Sequence, residues 1–406
     1  MKVLIYAIDF VPKIGGEETF LLLLAQGLVD RLGQAREEID PSAREDSSTL
    51  KNAKVILVTR TAANGFDDST LPYPVVREPS LAALWRMLRE ADVVQLSGPV
   101  LLPLLFGVLQ KKPIVIQHHT YHAVCPQGLF LYGSSKTICP GHFMARRYRE
   151  CLRCNAASVG WRRSFLMLLA TFLRHRLTTR ARANVGITRY VSQRIALPHG
   201  RTIDYGISDL LASSQMPSIH SSPASLAFAY VGRLVEEKGL RLLLDAAKQL
   251  KDEGYAFRVK FIGDGPERAS LETQMAKLSL QDQVQFMGFL RGEQLESALA
   301  DVSVIMMPSV WEETAGLAAI EQMMRARLVI AADIGGLGEV VGDAGLKFPA
   351  GDTRGLVARM REVLNDPGIV SELGSRARAR AMEVFHKDRM IEQQFLLYQE
   401  ITKDKA

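Results

Sequence analysis

Short, unbroken apolar runs recur along the first half of the chain, each closed by polar residues, Gly or Pro. They are Val3–Ile8, Val55–Arg60, Val93–Ser97, Pro113–His118 and Ala183–Thr188. Runs of this length without internal alternation predict strands buried on both faces, as in a parallel sheet. Glu18–Leu32, Leu81–Glu90, Trp161–Thr179 and a short stretch through Ile195 predict helices between or after them. Gln34–Ala53 is rich in Glu, Asp, Ser, Arg and Lys and carries no period, which predicts a flexible surface excursion.

The pattern restarts at Leu226. Leu226–Arg233, Val259–Gly265, Val284–Phe289, Val302–Met307 and Leu328–Asp333 read as strands, with the helix Leu240–Leu250 after the first. Strand and helix alternating twice over predict an α/β protein of two doubly wound parallel-sheet domains, with ligands at the carboxyl ends of the strands. The 406 residues are too many for one core. The division expected is 1–200, 201–388, and a final helix within 389–406, Arg389–Ile401, reaching back to the first domain. His199–Ser208 reads as the linker, and Ser213–Ser225, dense in Ser and Pro, as an entry loop.

Hydrophobic content of 47% and charged content of 23% belong to an ordinary globular chain. The net charge of +6 is uneven. Arg146, Arg147, Arg149, Arg153, Arg162, Arg163, Arg174, Arg176, Arg180 and Arg182 face one acid, Glu150. That excess predicts an anionic partner, either a phospholipid surface or a phosphorylated acceptor, and no nucleic acid. Phe165–Leu173, the longest apolar stretch, is too short to span a bilayer and reads either as core or as part of the basic surface. With no secretory pattern after Met1-Lys2, the expected place is the cytoplasm, peripheral on the inner face of the membrane. There the four cysteines would be reduced unless they hold metal. Cys125, Cys139, Cys151 and Cys154, the last two a C-x-x-C pair, are compatible with a structural Cys₄ zinc site.

The chemistry gathers on Pro308–Glu321. If Gly316 opens a helix after the strand Val302–Met307, its first-turn amides and dipole make a seat for an anion. Glu313 then stands at the helix mouth and Glu321 about two turns along it. Carboxylates repel phosphate, so they would bind hydroxyls to either side of it, which describes a nucleotide-sugar. Arg233 and Lys238 follow a strand end and can reach a diphosphate. Gly15-Gly16 stand at the first strand-to-helix turn, where bare backbone can approach phosphate. His118-His119 end another strand. Gly263-Asp-Gly265 lacks the third glycine of a dinucleotide fingerprint, which counts against an NAD-dependent oxidoreductase.

In order, the chain carries Gly15-Gly16, His119 before Cys125-Pro, Val231-Gly232-Arg233 with Lys238-Gly, and Gly263-Asp-Gly265-Pro. Glu313 with Glu321 and Gly335-Gly336 with Glu339 complete the set. These motifs resemble those of the GT-B glycosyltransferases, specifically the retaining family four of bacterial enzymes (glycosyl transferases group 1). The match is densest over Ala227–Asp352. The resemblance implies two Rossmann-like domains facing a central cleft, acceptor domain first and donor domain second. It implies that Arg233 and Lys238 hold the donor diphosphate, Glu313 the sugar hydroxyls and Glu321 the ribose. His119 would lie beside the anomeric carbon, and Gly16 in the loop that closes on the phosphate. Thr314, Ala315, Gly316 and Leu317, with the turn glycines Gly15, Gly232, Gly263 and Gly265, would complete the donor site.

The implied reaction moves a sugar with retention from a UDP- or GDP-sugar to a glycan, lipid-linked or small-molecule acceptor, in bacterial polysaccharide or glycoconjugate synthesis. No cofactor is required, and with no D-x-D in the chain a metal-bridged diphosphate is not expected. Departures from the family pattern are Ala315 for an aromatic, Gln322 for alanine, Gly338 for proline and Tyr205 for asparagine. The competing readings are a nucleotide-sugar epimerase of the same fold and a non-catalytic nucleotide-sugar-binding protein.

Overall fold

The computed structural model describes residues 1–13, 15–33, 54–133, 137–209 and 226–403. Gln34–Ala53 and Ser213–Ser225 therefore lie outside the described residues. The chain divides into two compact units, Met1–Ile207 with Lys387–Ala406, and Ser208–His386.

The first unit holds β1 (Val3–Ala7), β2 (Val55–Thr59), β3 (Val75–Arg77), β4 (Val93–Ser97) and β5 (Ile114–His118). A small antiparallel pair follows, β6 (Leu131–Tyr132) with β7 (Thr137–Ile138), then β8 (Ala183–Gly186) and β9 (Gly200–Thr202). The main sheet is parallel, in the order β3-β2-β1-β4-β5-β8-β9. The second unit holds β10 (Ala227–Val231), β11 (Arg258–Ile262), β12 (Val284–Gly288), β13 (Val302–Met307), β14 (Leu328–Ala332) and β15 (Leu346–Phe348). Its parallel sheet runs β12-β11-β10-β13-β14-β15. Both are doubly wound. The order reverses between β1 and β4 in one and between β10 and β13 in the other, and loops leaving those strands diverge around a crevice.

Burial explains which strands showed in the pattern. β1, β2, β4, β5, β13 and β14 are buried at every position. Gly200–Thr202, read as linker, is instead an edge strand exposed at all three residues, so it needs no apolar run. The helix Leu101–Leu109 (LLPLLFGVL) has no polar face and hence no period to read.

The last helix is Lys387–Lys403, longer than expected at both ends. It packs on the helix Gly16–Leu32 so closely that a Cβ on Gly27 would lie 2.2 Å from Ile391. Gln394 and Tyr398 both donate to the buried Gln95 side chain of β4, at 2.9 and 3.0 Å. The Lys387 amide donates to the Ile207 carbonyl at 2.9 Å, so the places where the chain leaves and re-enters the first unit are adjacent.

Candidate functional site

In the second unit the loops after β10, β11, β13 and β14 meet at the carboxyl ends of neighbouring strands. Gly232 and Gly263 have φ of 152° and 142°, and a Cβ on Gly263 would lie 1.8 Å from the Gly232 carbonyl oxygen. Only glycine fits there, and the close approach locks the Arg233–Lys238 loop to the β11 turn. The Leu234 amide donates to the Asp264 carbonyl and the Val310 amide to the Glu237 carbonyl, tying that loop to both neighbours. Arg233 is exposed at the strand end.

Lys238 Nζ pairs with Glu313 Oε1 at 2.9 Å, with side-chain exposures of 17% and 5%. The Ser309 hydroxyl also donates to Glu313. Lys238 Nζ lies 5.8 Å from the centre of the Trp311 ring, whose Nε1 is shielded from solvent with no hydrogen-bond partner in the protein. The pair bridges β10 and β13, the two strands at the switch point. The Glu313 carbonyl accepts from the Gly336 amide at 2.6 Å, and a Cβ on Gly335 would come within 2.5 Å of that carbonyl. Gly335-Gly336 thus seats the loop that presents Glu313.

Gly316, with φ of 84°, caps the helix Leu317–Met324, which carries Glu321. Thr314 and the buried Ala315 lead into its first turn. Burial raises the Glu321 carboxyl above its ordinary range, with Arg325 pulling the other way. A helix mouth flanked by two cations and two carboxylates suits an anion carrying hydroxyls. Gln322 has a structural task instead. It accepts from the buried Arg327 at 2.6 Å, and that guanidinium also donates to the carbonyls of Val302 and Leu299.

In the first unit, Gly15 is an extended N-cap to the helix Gly16–Leu32. From that helix Phe20 meets His119 edge-on, ring centres 4.9 Å apart, and Tyr205 closes the cluster at 5.6 Å from Phe20. Burial pulls His119 down to about 3 and His118 to about 4, so both are neutral near pH 7. His118 Nε2 contacts Asn184 Oδ1 at 3.0 Å, whereas His119 Nε2 lacks a hydrogen-bond partner in the protein.

Sequence reasoning passed over Glu17. It accepts from the Ser97 hydroxyl at 2.7 Å, which joins the first turn of the helix Gly16–Leu32 to the end of β4 at this unit's switch point. Burial pushes its carboxyl up to about 7, against the Ser97 hydrogen bond and helped by Glu18 and Asp9. Ser309 and Trp311 were likewise unassigned, although both stand inside the Pro308–Glu321 stretch.

The four cysteines are buried and unpaired. Burial pushes the Cys151 thiol up to about 12, and the nearby Cys125, Cys139 and Cys154 add to this. The Gly133 amide donates to Cys154 Sγ at 3.2 Å. Among the described residues no group of three or more His, Cys, Asp or Glu is arranged to hold a metal ion.

Residues 216–380 match the family model of the glycosyl transferases group 1. The 2-deoxystreptamine glucosyltransferase of Streptomyces kanamyceticus is 36% identical over 147 residues, 36% of this chain and 38% of that protein. The putative colanic acid biosynthesis glycosyltransferase WcaL of Salmonella typhimurium is 29% identical over 192 residues, 45% of this chain and 47% of that protein. The chain thus spans less than half the length of either curated relative. Among solved structures, Anabaena Alr3699/HepE in complex with UDP superposes with a TM-score of 0.71 at 16% identity, covering 98% of this chain and 100% of the other. That likeness shows the fold, two Rossmann-like units of the GT-B kind.

Proposed function

Residues 216–380 belong to the glycosyl transferases group 1 family, and from that premise we propose that the chain transfers a sugar, with retention, from a nucleoside-diphosphate sugar to a glycan, lipid-linked or small-molecule acceptor. The observation that carries this reading is the Lys238–Glu313 pair at the switch point of the second sheet, beside the helix mouth capped by Gly316. Lys238 and Arg233 neutralise the diphosphate as its bond to the sugar breaks. A fixed cradle of cations and first-turn amides can do this without a bridging metal. Glu313, oriented by Lys238 and Ser309, accepts from sugar hydroxyls, and Glu321 from the ribose. The turn glycines Gly232, Gly263 and Gly265 let the backbone approach the donor, with Thr314, Ala315, Gly316 and Leu317 lining its sugar and phosphate.

In the first unit, Gly15 and Gly16 leave bare backbone at the start of a helix, and the neutral His119 carries an unpartnered ring nitrogen, features suited to binding a polar ligand. Attack on the face from which the diphosphate leaves preserves the anomeric configuration, with the departing phosphate taking the acceptor's proton. A role in bacterial glycan synthesis draws support from the likeness to WcaL, a putative colanic acid biosynthesis glycosyltransferase.

A panel of UDP-, GDP- and ADP-sugars tests the reading by calorimetry and by slow donor hydrolysis. HepE was solved with UDP, so UDP-sugars come first. Saturable hydrolysis of one donor with release of the nucleoside diphosphate is expected. Epimerised donor without release would point to the epimerase reading, and tight binding with neither outcome to a silent binding protein.

A further inference from the structure

The helix Trp161–Thr178 of the first unit buries Ser164, Leu168, Thr171, Leu177 and Thr178, and turns its bulkiest side chains outward. Trp161, Phe165, Leu166 and Leu169 are 56–64% exposed, and Phe172 and Leu173 are 38% and 45% exposed. Phe165–Leu173 is therefore core only at Leu168 and Thr171, and exposed along its other face. At 3.6 residues per turn the six side chains share one arc of about 140°, along a helix about 27 Å long. Arg162 and Arg176, both exposed, stand in the same arc near its two ends. No Asp or Glu occurs anywhere between Glu150 and Asp204. Single exposed apolar residues are ordinary, but six in one stripe mark a surface that is covered in use.

We propose that this face docks on an anionic phospholipid bilayer, with the helix lying in the plane of the interface. The apolar side chains enter the boundary between headgroups and acyl chains, and Arg162 and Arg176 extend to the lipid phosphates. Among the described residues no helix is long and apolar enough to cross a membrane, so the mode is attachment. Charge selects the lipid over a second copy of the chain. A two-fold pairing of this face would set arginine against arginine with no acid on the helix to offset them. The inference does not depend on the transferase reading, because its observations lie on the outward face of one helix and its test uses no sugar.

The full chain is sedimented with phosphatidylcholine vesicles and with vesicles one-third phosphatidylglycerol, at about 0.1 M and about 0.5 M salt. Binding is expected to the anionic vesicles, weakened by the higher salt. Phe165→Gln and Leu169→Gln should each lower partitioning about tenfold. Arg162→Gln/Arg176→Gln should lower it and remove most of the salt dependence. Both sets change exposed positions, and circular dichroism checks that the fold is kept. Vesicles should also shift Trp161 fluorescence to the blue, a shift missing from Trp161→Phe. Equal binding to both lipids, or variants that bind like the parent, overturns the proposal. So does an unbound parent that forms a dimer broken by Phe165→Gln/Leu169→Gln, since a second copy would then own the face.

Discussion

Lys238→Ala separates what the central ion pair does for stability from what it does for turnover. At 2.9 Å the pair's gross attraction is about 6 kcal/mol at an effective dielectric constant of 20. Desolvation of both ions offsets most of that. Removing the lysine nevertheless leaves Glu313, 5% exposed, with the Ser309 hydroxyl as its remaining side-chain contact. Breaking a buried pair from one side costs about 3–5 kcal/mol. The 17% exposure of Lys238 puts this case near 3. Lys238→Ala/Glu313→Gln keeps the shape, removes the orphaned charge and should recover about 2 kcal/mol of the loss. On the proposed role of Lys238 at the leaving group, turnover should fall by roughly 10²–10³ in the single variant and stay low in the double, because that cation is absent from both. Trp311 makes the stability assay local. It is the second unit's only tryptophan, so urea unfolding followed by fluorescence in a Trp85→Phe/Trp161→Phe background reports that unit. A single variant within 0.5 kcal/mol of its parent, or a double variant no more stable than the single, would refute the reasoning.

Glu17→Gln should stabilise the protein at pH 8 by about 2–3 kcal/mol. The folded carboxyl is raised to about 7, so its contribution is fully present below the unfolded value and lost as pH rises through 7. The gain should therefore vanish near pH 4.5 in denaturation curves taken across that range. Gln322→Ala strips one hydrogen bond from the buried Arg327 and should cost about 2–3 kcal/mol, seen in scanning calorimetry as a fall of roughly 4–12 °C in the second unit's Tm. Donor affinity should change little. The four thiols should resist a maleimide at pH 7.5 at least about a hundredfold better folded than in urea. About one zinc per purified chain would show that the cysteines close on a metal after all.

What was legible in the sequence follows from burial. Val302–Met307 is buried at all six positions, so its apolar run and its boundaries read directly. Lys238 and Glu313 were each visible as charged residues after a strand. Their pairing was not, because it depends on β10 and β13 lying side by side across some seventy residues of chain. Glu17 shows the same limit more sharply. Beside Gly15-Gly16 it looks like a first-turn acid serving the helix dipole, whereas its high proton affinity comes from burial, which outweighs the hydrogen bond from Ser97, eighty positions away. Gln322 departs from the family pattern, and its partner Arg327 explains it by packing alone. Gly200–Thr202 lay hidden because an exposed edge strand requires no hydrophobic pattern.

The return of Lys387–Lys403 to the first unit orders events on the ribosome. The second unit is one continuous segment and can fold as soon as His386 has cleared the exit tunnel. The first unit cannot finish until the final helix arrives, since Gln394 and Tyr398 supply the partners of the buried Gln95, and Ile391 fills the space over Gly27. During synthesis the helix Gly16–Leu32 and that side of β4 must wait, unsealed, for residues made after the whole second unit. A nascent chain stalled before residue 387 would present a finished second unit on an open first one, the species a holding chaperone would be expected to recognise.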